Sequence, residues 1–345
     1  MNRWGIVVLA VVITLGGIAL FILATERGQD MALARLVNTA MQAGDDTATY
    51  DGLRVFVCGS SSPLPAPDRA QACIAVSAGD RLYLVDAGAG SAAVARLGRL
   101  PLQNLRAVLL THFHSDHIAA IPDFNLNSWV AGRPQPLDII GPVGVDGVVE
   151  GLNDAYALDR GYRVAHHGDA LLPPELGEMR PVTIRPGVIL DEDALVIKAF
   201  VVDHAPVKPA VGYRFDYHGR SVVVSGDSIV TESLRIAAKD ADLLLHDALS
   251  MPIIQALAKG AAAAGRDRQA KILGDIQGYH AHTTDLVDLA RRANVRQLVL
   301  YHLVPAPQNL LFEQIFRRGL PSQVVLAEDG MVFELPSNSQ AIIMD

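Results

Sequence analysis

Residues 111–117 read Thr-His-Phe-His-Ser-Asp-His, which crowds three imidazoles and a carboxylate into a few positions directly after an apolar run. His112 and His114 stand two apart, so an extended backbone presents both on one side. Asp116 and His117 follow as the chain turns. Nitrogen and oxygen donors at this density suit a pair of borderline divalent cations, zinc first, with manganese or iron able to occupy the same set. More residues of ligand type end other apolar runs: His204, Asp227, His246 and His302.

Side chains so far apart in sequence converge only if a sheet scaffold presents its loops on one edge. The apolar run 105–110 reads as the strand that delivers the cluster, with a helix over about 118–130 behind it. Further strands are expected at 53–57, 73–76, 81–85 and 137–140, then a strand pair at 182–184 and 195–202. A hairpin at 212–216 and 221–224 follows, with buried strands at 243–245 and 298–300 and a closing hairpin at 324–326 and 331–335. Helices are expected over 91–100, 144–169, 253–264 and 284–293, the last capped by Thr283 or Thr284. Two runs of strands, each followed by helices, imply a sheet-on-sheet core covered by helices.

The 345 residues are 50% hydrophobic and 19% charged, enough for one large core. A net charge of −8 and a pI near 5.7 lack the basic balance of a nucleic-acid binder, so nucleic acid is not expected as a partner. Residues 4–25 are uncharged and almost wholly apolar. At ~1.5 Å per residue they span a bilayer core of ~30 Å, which makes them a transmembrane helix and membrane anchor. The division is then 1–28 anchor, 29–51 linker with a helix over 31–42, and 52–345 the main domain. Arg3 before the apolar run and no net positive charge after it place that domain outside the cytoplasm. A cleaved signal segment is the alternative and would make the protein secreted. Cys58 and Cys73 sit at the near ends of two strands without a C-x-x-C partner. In an exported domain they would pair as a disulfide; two buried thiols are the other reading.

Taken together, Leu-Val-Asp86-Ala-Gly, the H-x-H-x-D-H cluster, a lone His204, Ser-Gly-Asp227 and Leu-Tyr-His302 resemble the metallo-β-lactamase superfamily, over residues 53–335 and in that family's order. The resemblance implies an α/β fold, the αββα sandwich. It also implies two metal ions, one on His112, His114 and His204, the other on Asp116, His117 and His302, with Asp227 bridging. Asp86 would orient a ligand or the metal water from behind. Two ions ~3.5–4 Å apart clamp the attacking and leaving oxygens and make hydroxide available at neutral pH.

Within the superfamily the chain is similar to the ribonuclease Z and arylsulfatase-like phosphodiesterase branch. Residues 244–248 resemble its H-E-A segment with Asp247 in place of Glu, which makes His246 a supporting residue. Residues 281–284 resemble its H-S-T motif, which makes His282 the proton donor and Asp116 the other catalytic residue. Ribonuclease Z proteins carry a protruding arm before the bridging aspartate, and here Gly212-Tyr213-Arg214 runs through a short hairpin straight to Asp227. Residues 155–168 resemble the arylsulfatase-like group instead, and the insert over about 144–180 could bring His166 or His167 to the substrate. His218 and His280 read as ordinary surface residues. The expected function is ester hydrolysis by metal-bound hydroxide, on a phosphodiester or aryl sulfate of a small molecule. The alternatives are ribonuclease Z-like processing of transfer RNA 3′ ends, lactone or carboxylic ester hydrolysis, and a metal-binding protein without turnover. A homodimer is left open.

Overall fold

A computed structural model describes residues 3–42 and 50–345. The chain divides into two compact units, Met1–Thr47 and Ala48–Asp345. In the first, helices Arg3–Ala24 and Glu26–Gln42 meet at Thr25. The Thr25 hydroxyl donates to the Phe21 carbonyl at 2.7 Å and accepts from the Gly28 N–H at 3.0 Å, ending one helix and capping the next. Among the described residues no single helix is long and apolar enough to cross a membrane; Val11–Ala24 and Glu26–Thr39 meet that test only as a pair bent by 94°. The expected transmembrane helix is therefore not supported as one span. The helix expected over 31–42 begins earlier, at Glu26, and residues 43–49 of the expected linker lie outside the described residues.

In the second unit the chain lays down strands β1 (Tyr50–Gly59), β2 (Cys73–Gly79), β3 (Arg81–Val85), β4 (Leu105–Leu109), β5 (Leu137–Gly141) and β6 (Met179–Thr183). It then crosses to β7 (Gly187–Glu192), β8 (Leu195–Val201), β9 (Val211–Tyr217), β10 (Arg220–Val224), β11 (Leu243–Leu249), β12 (Gln297–Val304) and β13 (Val325–Leu326). It returns with β14 (Val332–Pro336) and β15 (Ile343–Met344). One sheet runs β15-β14-β1-β2-β3-β4-β5-β6 and the other β13-β12-β11-β10-β9-β8-β7.

The core lies in three layers. Between the sheets, Val55, Leu109, Tyr213, Val224, Leu245 and Phe333 are buried against one another. On the outer face of the first sheet, Leu84 and Val108 pack with Ile121 and Phe124 of helix Ile121–Val130. On the outer face of the second, Val223 and Leu244 pack with Leu286 and Leu289 of helix Thr283–Arg292. Strands buried on both faces explain why the β4, β10 and β11 segments read as unbroken apolar runs. This is the expected helix-sheet-sheet-helix sandwich.

Two expected pairings are corrected. The segments at 324–326 and 331–335 do not form a hairpin: β13 lies parallel to β12 in one sheet and β14 antiparallel to β1 in the other. The segment near 182–184 pairs with β5, while β8 pairs with β7 and β9. Strand β7 has little burial to mark it, so apolar alternation did not reveal it. The expected helix over 144–169 is two, Val145–Ala155 and Ala157–His167, broken at Tyr156. Cys58 and Cys73 are bonded, with Cα atoms 5.0 Å apart, and join β1 to β2.

Candidate metal centre

Strands β3, β4 and β5 run parallel in one sheet, and β10, β11 and β12 run parallel in the other. Their carboxyl ends therefore face the same edge, where α/β sheets collect ligand-binding residues. Asp86 follows β3, and Thr111 and His112 follow β4. Asp227 follows β10, His246 and Asp247 lie near the end of β11, and His302 near the end of β12. Gly226 brings Asp227 across the seam. Its φ is +65°, and a Cβ there would stand 2.7 Å from the Thr111 Cβ, so glycine alone lets the β10 loop close on the β4 end.

Two sets of donor atoms result. His112 Nε2 stands 2.9 Å from His114 Nδ1, which stands 3.4 Å from His204 Nε2. Beside them, Asp116 Oδ2 is 3.5 Å from His117 Nε2 and 3.1 Å from His302 Nε2. Asp227 Oδ2 lies 3.4 Å from His117 Nε2 and from His302 Nε2, 3.7 Å from His204 Nε2 and 3.9 Å from His112 Nε2. Donors held ~2.0–2.1 Å from one tetrahedral ion stand ~3.3 Å apart, so both sets have the spacing a metal imposes. His117 Nε2 and Asp227 Oδ1 are buried with no hydrogen-bond partner, a costly state unless a cation takes them up. These His/Asp clusters are suited to binding metal ions, and Asp227 is common to both sets.

The rear of the site orients these donors. Asp86 accepts from the Thr111 backbone N–H at 2.8 Å through Oδ1. Its Oδ2 lies 2.8 Å from both Thr111 Oγ1 and His117 Nδ1. With Nδ1 engaged there, His117 turns Nε2 to the cluster. His204 Nδ1 is 3.0 Å from the Tyr279 carbonyl, with the same consequence. Asp86 at φ 62° and His302 at φ 42° hold left-handed backbone that favours glycine, strain the surrounding packing must sustain.

Charge follows from this packing. Burial pushes the His117 and His302 pKa down, yet Asp227 and the neighbouring carboxylates overcome it and hold both above the usual imidazole value. Burial would raise Asp116 and Asp227, and the facing histidines instead keep both carboxyls depressed and ionised. His112, His114 and His204 are pushed down, by burial first. One set thus favours the neutral imidazoles that ligate a cation, and in the other a cation competes with a proton that the carboxylates favour.

Two histidines exchange the places expected of them. His282 stands at the N-cap position of helix Thr283–Arg292 without a side-chain cap bond, turns its Nδ1 to the Leu249 carbonyl at 3.0 Å, and does not line the cleft over the clusters. His280, read as a surface residue, is 8% exposed and lines that cleft. Its ring stacks on His302 at 5.4 Å and lies 5.3 Å from His204. Its Nδ1 is 2.8 Å from Oδ2 of the fully buried Asp247, whose Oδ1 is 2.9 Å from His246 Nδ1. Burial works against the Asp247 charge, but the bonds from His246 and His280 prevail and keep its pKa low. The available signal was Asp247 itself, since a carboxylate ending a buried strand needs a partner. His166 and His167 are exposed, and no residue of the 144–180 insert lines the cleft; His218 is exposed at its turn.

The fold and the two donor sets define a metal-binding hydrolase scaffold. The chain belongs to the metallo-β-lactamase superfamily: the family described as the beta-lactamase superfamily domain matches residues 81–303. It is 38% identical over 257 residues to a protein of Mycobacterium bovis named Ribonuclease Z, covering 74% of this chain and 87% of that protein. Among solved structures it is similar to the metallo-beta-lactamase fold protein YhfI from Bacillus subtilis, with a TM-score of 0.59, 20% identity, and 82% of this chain and 99% of that one covered. The short form of human tRNase Z is similar too, with a TM-score of 0.58, 21% identity, and 82% and 99% covered. Relatives that are ribonucleases by name overturn the expectation that nucleic acid can be set aside as a partner. Net charge averages the whole surface, whereas a nucleic acid needs only a local patch.

Proposed function

We propose that this chain is a metal-dependent nuclease of the ribonuclease Z kind, hydrolysing an RNA phosphodiester. The observation that carries the reading is 38% identity over 87% of a relative so named, in a chain that retains both donor sets. His112, His114 and His204 would hold one ion, Asp116, His117 and His302 the other, and Asp227 would bridge them. Zinc is the first choice by donor type, with manganese or iron as substitutes. Such ions would act as Lewis acids and bring the pKa of water toward ~7. The remaining work belongs to the protein. Asp86 and the Tyr279 carbonyl fix the tautomers of His117 and His204. Asp116, ionised on the cleft floor, can accept a proton from the attacking water. Asp247 holds Nδ1 of His280, which leaves Nε2 to give a proton to the departing ribose oxygen.

The test is a transfer RNA precursor with a 3′ trailer, incubated with metal-loaded protein, with the new 3′ end mapped. No cleavage, alongside hydrolysis of small phosphodiesters, would refute the RNA reading and support a small-molecule phosphodiesterase. That second reading is favoured by one observation: β9 turns into β10 through His218-Gly219 with no arm between them. For the N-terminal unit, the uncharged stretch supports attachment to a membrane; release of the full chain by alkaline carbonate would remove that part.

A further inference from the structure

One wall of the cleft does no work in the hydrolytic site. It belongs to a helical hairpin, Met251–Ala263 and Asp267–Asp275, inserted between β11 and helix Thr283–Arg292. The base is fixed: Ile254 and Ile276 are buried with Leu249 and Val304, and Leu273 and Tyr279 pack against them. The outer part is not. Helix Asp267–Asp275 has no buried residue, and Ile272 lines the cleft while 51% exposed. Ile272 extends an apolar wall that Leu64, Ile276 and Val304 form beside the donor residues, the kind of lining that receives an apolar part of a ligand.

Arg268 precedes Ile272 by one helical turn, and Ile276 follows by another, so the three share a helix face. That face runs outward from the metal clusters: Ile276 at the wall's base, Ile272 at the rim, Arg268 beyond it. Arg268 is exposed and takes part in no ion pair among the described residues, while Lys271 on the adjacent face is held by Asp275 at 2.7 Å. In a chain of net charge −8, this hairpin carries Lys259, Arg266, Arg268 and Lys271 against only Asp267 and Asp275.

We propose that this edge of the hairpin grips single-stranded RNA. Ile272, with Tyr279 and Leu64 lining the same cleft, flanks the nucleoside next to the cleaved bond, and Arg268 takes the following phosphate. The inference rests on the RNA reading above and adds where the strand leaves the site. A cleft of about 300 Å³ is at the small end of ligand sites and takes roughly one nucleotide, not a duplex. An aryl ester small enough to fill it would end at Tyr279 and Ile272 and never reach Arg268. Apolar and aromatic platforms followed by a cation are the usual means of holding an unpaired strand.

The experiment compares Arg268→Glu with the wild-type full chain, both metal-loaded. Binding of a fluorescein-labelled single-stranded oligoribonucleotide is followed by anisotropy across a salt series. Hydrolysis of bis(p-nitrophenyl) phosphate and metal content are measured in parallel. The expected result is RNA affinity lower by about tenfold at low salt, with the log–log salt slope reduced by ~0.7, one phosphate of a single strand. Small-ester hydrolysis and metal content stay within about twofold. Arg268→Lys should keep the salt slope and lose less affinity, since it keeps the charge but not the planar fork. An unchanged slope and affinity in Arg268→Glu would overturn the grip while leaving RNA hydrolysis standing. Equal loss on RNA and small ester would overturn it in favour of a structural role. Failure of the wild type to bind RNA would remove both readings.

Discussion

The exchange of His282 for His280 makes a quantitative prediction. If His280 Nε2 protonates the leaving oxygen, His280→Ala lowers kcat on a ribose leaving group by ~10²–10⁴, the range for a general acid. Both metals should remain bound, because His280 meets the donor residues His302 and His204 through ring contacts, while its Nδ1 bond goes to Asp247. Asp247 holds this ring from behind: its Oδ2 meets Nδ1 at 2.8 Å, deep in the protein, while Oδ1 is engaged by His246 and the Ser228 N–H. A hydrogen bond to a charged group contributes ~1.5–3 kcal/mol, so Asp247→Asn should cost roughly 10–100-fold in kcat. Two residues acting as one unit are not additive. The double variant should therefore be no slower than His280→Ala alone. With bis(p-nitrophenyl) phosphate, whose leaving group departs without a proton, all three variants should approach the wild type. His282→Ala, whose ring bonds a backbone carbonyl, should stay within about threefold on either substrate. Single-turnover kinetics on both substrates, with metal counted by mass spectrometry, reads all of this. An equal loss on the two substrates, or additive losses in the double variant, would refute the reasoning.

Asp227→Ala removes the oxygen common to both donor sets, so metal content should fall from two ions per chain to below one; two retained ions would contradict bridging. Metal affinity should rise with pH, because a cation must displace the protons that neighbouring carboxylates hold on His117 and His302. In metal-free protein those two raised histidines contribute stability that is fully present below ~6.5 and lost as pH rises through their folded values. His112, His114 and His204, pushed down, are neutral in both states above that pH and add no slope there. Melting temperatures with chelator should thus decline above neutrality while those with metal do not, and a gap that fails to widen would sink the argument. Replacing Cys58 and Cys73 by Ser should cost about 3 kcal/mol in the chain-entropy model, given a sequence separation of 15, read as a lower urea midpoint with a slope that does not fall, since the unfolded chain is released.

Most of the ligands were legible because His112, Asp227 and His302 stand at or just past the ends of largely buried strands. Unbroken apolar runs such as 107–110 and 243–245 announce such strands, and a histidine or aspartate directly after one stands out. Which strands share a sheet was not legible. Strand β13 spans two residues, too few for alternation to show, and its assignment depends on a parallel partner across a helical crossover. The choice between His280 and His282 failed for a related reason. The two are two residues apart in a segment with no periodicity, and the His282 ring is spent on the Leu249 carbonyl of β11. Only the depth of Asp247, fixed by β11 in the folded chain, selects His280. Composition misled on nucleic acid because a total of −8 says nothing of local excesses, such as the four cations against two carboxylates over 251–275.

The donor sets are divided between the sheets: His112, His114, Asp116 and His117 follow β4, while His204, Asp227 and His302 come from strands of the other sheet. Bound ions would consequently act as rivets across the sandwich, resisting any slide of one layer over its neighbour. Hydrogen exchange should then slow on metal loading at the carboxyl ends of β4, β10 and β12 and little at their opposite ends. Catalytic competence and mechanical cohesion of the two layers would rise and fall with the same cations, so that losing them loosens the very seam from which the reaction is run.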